Sequence, residues 1–63
     1  MEFIEDEWAG LVFCDADVYT IRQWCVDNIE DPDNNTSIDN YGEMCGLHLK
    51  HEKDYVLAQL RWR

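Results

Sequence analysis

The stretch EMCGLHLKHEKDYVLAQLRW, residues 43–62, sets the architecture through its periodicity. Cys45, Leu47 and Leu49 alternate with Met44, His48 and Lys50, and Val56, Ala58, Leu60 and Trp62 alternate with Tyr55, Leu57, Gln59 and Arg61. A period of two puts each set on one face of an extended chain, so two such runs flanking residues 51–54 predict a β-hairpin. The second run also fits a helix. Val56, Leu57 and Leu60 fall at i, i+1 and i+4, and Ala, Gln, Leu and Arg favour helical backbone. The hairpin is the preferred assignment and a C-terminal helix its rival.

Upstream of this stretch, Asp31–Asn40 reads DPDNNTSIDN, with one apolar member among common turn formers, and residues 30–42 are expected to form an acidic loop. Before it the period changes to 3.6. Val18, Ile21, Cys25 and Ile29 recur at i, i+3, i+7 and i+11, which predicts an amphipathic helix over 17–29. Asp15 or Asp17 supplies the N-cap, and Pro32 ends the helix by disfavouring helical geometry at Asp31. The run WAGLVFC, residues 8–14, is apolar on both faces and reads as a central strand, with a shorter strand expected at 2–5. The expected fold is α+β: a single small domain over 1–63, with one amphipathic helix packed on a small antiparallel sheet in β-α-β-β order.

Size and charge narrow the function. A chain of 63 residues supports a core worth only roughly 3–5 kcal/mol, which leaves little room for a deep substrate cavity. Fourteen acids against five bases give a net charge of −9, unsuited to direct contact with nucleic acid or an anionic membrane. The charge is uneven: residues 1–43 carry a net −11 and residues 44–63 a net +2. MEFIEDEW lacks the basic and apolar segments of a signal peptide, and no apolar run is long enough to span a membrane. Cys14, Cys25 and Cys45 cannot all pair within one molecule, so reduced thiols in a cytoplasm are expected, the host's if the source is viral. The overlapping sequons at Asn34 and Asn35 then have no secretory route.

Motifs for chemistry are weak. Cys45, His48 and His51 form C-x2-H-x2-H, but on a strand His48 points away from the other two, and the paired knuckles of a zinc motif are missing. Asp31, Asp33, Asn35, Ser37 and Asp39 follow calcium-loop spacing, yet Thr36 stands where Gly is needed and Gly42 where the bidentate Glu belongs. Neither metal nor cofactor is expected. No nucleophile elbow, phosphate loop or helical H-E-x-x-H is present, and a non-enzymatic role follows.

The acids themselves carry the remaining signal. Glu5 with Glu7, Asp15 with Asp17, and Asp31 with Asp33 are i, i+2 pairs, about 6.6 Å apart on extended chain, against a phosphate rise of about 3.4 Å per strand in duplex DNA. Charges on neighbouring elements can fill the interval and present a phosphate-like field. Aromatics adjoin these acids and suit binding anchors. Candidate partner-binding residues are therefore Glu5, Asp6, Glu7 and Trp8, then Asp15, Asp17 and Tyr19, then Asp31, Asp33, Asp39, Tyr41 and Glu43. In size and composition the chain resembles the small acidic proteins that phages use against host nucleases and CRISPR effectors, some of which mimic DNA; no family motif is matched. The expected function is a protein-binding inhibitor or modulator that occludes a basic, nucleic-acid-binding surface of a partner protein. The alternative is an accessory or scaffolding subunit held by its apolar sheet face. An exposed sheet edge would also permit a homodimer.

Overall fold

The computed structural model describes residues 8–63. The chain runs β1 (Gly10–Cys14), α1 (Val18–Asn28), α2 (Pro32–Asn35), β2 (Thr36–Tyr41), β3 (Met44–Leu49) and α3 (Glu52–Arg61). The strands form an antiparallel sheet of order β1-β3-β2, with Val12 and Ile38 opposite Leu47, and Cys14 and Asn40 opposite Cys45. The fold is α+β, with helices on one side of the sheet. Among the described residues no helix is long and apolar enough to cross a membrane.

Helix α1 forms where its periodicity places it. The Asp17 carboxylate accepts a 2.8 Å hydrogen bond from the Thr20 amide, satisfying one of the donors that a helix start leaves open. Ile21, Cys25 and Ile29 are buried, whereas Val18, the first member of the expected stripe, stands exposed in the opening turn. The helix stops at Ile29, which is extended, and Asp31 takes a left-handed conformation (φ 53°) that a short polar side chain tolerates.

The expected loop over 30–42 is instead α2 followed by strand β2. Local turn propensity yields here to pairing with β3: one face of an edge strand needs little apolar content, and half-buried Thr36 and Ile38 supply it. Tyr41 and Met44 are paired across a two-residue turn in which Gly42 has φ 81°, the positive value that the first position of a tight hairpin turn requires. A hairpin therefore exists, but its strands are 36–41 and 44–49.

The second strand expected at 55–62 is helix α3, the rival assignment. Its buried and half-buried positions are Asp54, Tyr55, Ala58 and Trp62, a helical spacing, while Val56, Leu57 and Leu60 face outward. The apolar alternation misled because the inward face carries a carboxylate, a phenol and a methyl group. Glu52 and Asp54 in the first turn and Arg61 in the last complement the helix dipole.

The core consists of Val12, Cys14, Ile21, Cys25, Ile29, Cys45, Leu47, Leu49 and Ala58; Trp24 and Trp62 pack against it and meet each other edge to face at 5.0 Å. The central strand is β3; β1, expected in that place, lies beside it with one face buried and the other exposed at Phe13. The short strand expected at 2–5 lies outside the described residues.

Candidate functional site

Strand alternation gives the sheet two faces of different fate. Val12, Cys14, Cys45, Leu47 and Leu49 point to the helices and are buried. Leu11, Phe13, Met44, His48, Asp39 and Tyr41 point the other way, where no helix among the described residues covers them. Phe13 and Tyr41 are each 51% exposed and meet edge to face at 5.8 Å. They do so across Gly46, at which a β-carbon would lie 2.5 Å from the Tyr41 ring and 2.9 Å from Leu11. Trp8 meets the His48 ring edge to face at 6.4 Å. Between the two aromatic pairs, the Asp39 carboxylate contacts His48 Nε2 at 2.9 Å and accepts a 3.5 Å hydrogen bond from the Tyr41 hydroxyl. This polar link joins the two aromatic groups across the face.

The acids gather at the two ends of the sheet. Where β1 runs into α1 and β2 turns into β3, Asp15, Asp17, Tyr19 and Glu43 line a cleft of about 590 Å³. Hydrogen bonds from Thr20 hold the Asp17 carboxyl below its ordinary value, so Asp17 is committed to capping α1 as well as to the local field. At the other end, where α1 stops and α3 starts, Glu30, Asp31, Glu52 and Asp54 line a cleft of about 480 Å³.

The candidates named from sequence are thus split. Trp8, Asp39 and Tyr41 belong to the open face; Asp15, Asp17, Tyr19 and Glu43 come together at one end; Asp31 lies at the other. Asp33 is paired with Arg22 at 2.6 Å, so its charge is met within the chain. Glu5, Asp6 and Glu7 lie outside the described residues. Leu11, Phe13, Met44 and His48 were missed, although the alternation within WAGLVFC already set Leu11 and Phe13 opposite Val12 and Cys14. Glu30, Glu52 and Asp54 were missed because their proximity depends on α3.

Cys45 faces the core and His48 the open side, which separates them as their strand spacing requires. Among the described residues no three His, Cys, Asp or Glu side chains converge to hold a metal ion. The arrangement offers apolar area, hydrogen-bonding rims and negative charge. No protein-family model, curated protein or solved structure matches this chain.

Proposed function

We propose that this protein is a non-catalytic binding module that covers a basic, nucleic-acid-binding surface of a partner protein and so inhibits or modulates it by occlusion. The observation that carries this reading is the sheet face that the described helices leave open, with Phe13, Tyr41 and Trp8 exposed on it between two acidic ends. Aromatics on a rigid sheet provide desolvated anchor area at low entropic cost, and the flanking carboxylates steer association and meet Lys and Arg side chains. The net charge of −9 selects a basic partner and opposes self-association.

The near-neutral composition of the face itself favours a second reading, an accessory subunit held by apolar contact with its acidity incidental. Salt separates the two. In the occlusion reading a partner captured at low salt is a basic protein, releases at high salt, and competes with DNA or RNA for the module. Capture is lost on Phe13→Asp and weakened on joint reversal of Asp15 and Glu43 to Lys. A salt-resistant partner without a basic surface, or capture indifferent to Phe13→Asp, overturns the proposal.

A further inference from the structure

The cleft between the end of α1 and the start of α3 is lined by a buried carboxylate, that of Asp54. Asp54 lines it with only 6% of its surface exposed, and no ion pair or side-chain hydrogen bond reaches its carboxylate among the described residues. The amides of Asp54 and Tyr55 are spent on the His51 carbonyl, so the opening turn of α3 offers its dipole but not these donors. A buried carboxylate without a partner is costly and is ordinarily paired. The surroundings add negative charge. Glu30, Asp31 and Glu52 line the same cleft, and the last turn of α1 carries no base against the negative end of its dipole. Lys53 and His51 are the opposing groups at the rim, and neither forms an ion pair with a described residue.

The charge of this lining suits a cation, and the placement of the carboxylates constrains which one. The carboxylates do not converge as a metal ion demands. A guanidinium is planar, carries five N–H donors in a fixed fork and can bridge two separated carboxylates, which an ammonium meets only as a point charge. We infer that this cleft is an arginine acceptor: a guanidinium of the basic partner hydrogen-bonds Asp54 and is held by Glu30, Asp31 and Glu52. The inference rests on the docking reading above and extends its contact surface around one end of the sheet.

The test is an NMR titration of the full chain with acetyl-Gly-Arg-Gly-amide and, separately, acetyl-Gly-Lys-Gly-amide, following side-chain carboxyl carbons. Shifts should concentrate on Glu30, Asp31, Glu52 and Asp54, with tighter binding of the arginine peptide. Asp54→Asn should weaken that binding about tenfold. Removing an unpaired buried charge should leave the fold at least as stable, and Glu30→Gln, on an exposed side chain, provides a second variant that should also weaken binding. Equal shifts at Asp15, Asp17 and Glu43, equal affinity for the two peptides, or full affinity in Asp54→Asn overturns the inference. Loss of peptide binding with Phe13-dependent capture retained removes the arginine acceptor and leaves the docking reading standing. Peptide binding without such capture does the reverse.

Discussion

Cys14 lies opposite Cys45 in the β1–β3 register, and burial, reinforced by the neighbouring Cys25 and Cys45, pushes its thiol up to about 11. Burial raises Cys25 as well, against a lowering contribution from Thr36. Thiolate is the reactive form, so these side chains behave as small core hydrophobes. Iodoacetamide at neutral pH should modify Cys14 and Cys25 only after denaturant is added; labelling of the native chain would contradict their burial. The same shift sets an alkaline limit. A thiol raised above its unfolded value near 9 keeps its full contribution below that pH and loses it as pH climbs toward about 11. Denaturant midpoints should fall across that window, and less steeply in Cys14→Ala. Asp17 works in the opposite sense: its depressed carboxyl adds stability above the ordinary value of 3.8 that is lost as pH falls below it, a dependence that Asp17→Ala should reduce.

Helix α3 docks on β1 through a pairing of the smallest and one of the larger side chains. A β-carbon at Gly10 would stand 2.5–2.8 Å from three atoms of the Tyr55 ring, so the ring lies directly on the strand backbone. Gly10→Ala must push the ring or the helix away and should cost about 1–3 kcal/mol in chemical denaturation; an unchanged midpoint would show that α3 adjusts freely. This contact also explains how far the sequence could be read. Helix α1 and strand β3 were legible because Ile21, Cys25 and Ile29, and Cys45, Leu47 and Leu49, each follow one period and are buried on that face. Strand β2 was not, since only Ile38 marks its inner face and its remaining residues favour turns in isolation. Helix α3 was ambiguous because Val56, Leu57 and Leu60 face solvent while Asp54 and Ala58 face inward, an inversion of the usual pattern. The site followed the fold. The acids around Asp15 and Glu43 were visible as local clusters, but the open face depends on knowing that α1 and α3 lie on the same side of the sheet.

At the scale of the whole molecule, like charge is concentrated at both ends of a sheet only six residues long at its longest strands, with the Arg22–Asp33 ion pair and the His48–Asp39 contact among the described residues. Mutual repulsion should be relieved by screening, whose range shrinks from about 10 Å at 0.1 M salt to about 3 Å at 1 M. The melting temperature should therefore rise with sodium chloride over that interval, and a flat or falling response would mean that the acids are too dispersed to strain the fold. The strand order β1-β3-β2 carries a consequence of another kind, for how the chain is made. β2 and β3 are joined by two residues and can close at once, whereas β1 finds its hydrogen-bonding neighbour only when Met44–Leu49 has left the ribosome. Until then Val12 and Cys14 are exposed, and helix α1 has no sheet to lie against. A nascent chain that stops short of that strand leaves β1 and α1 with nothing to fold on, an evident substrate for proteases.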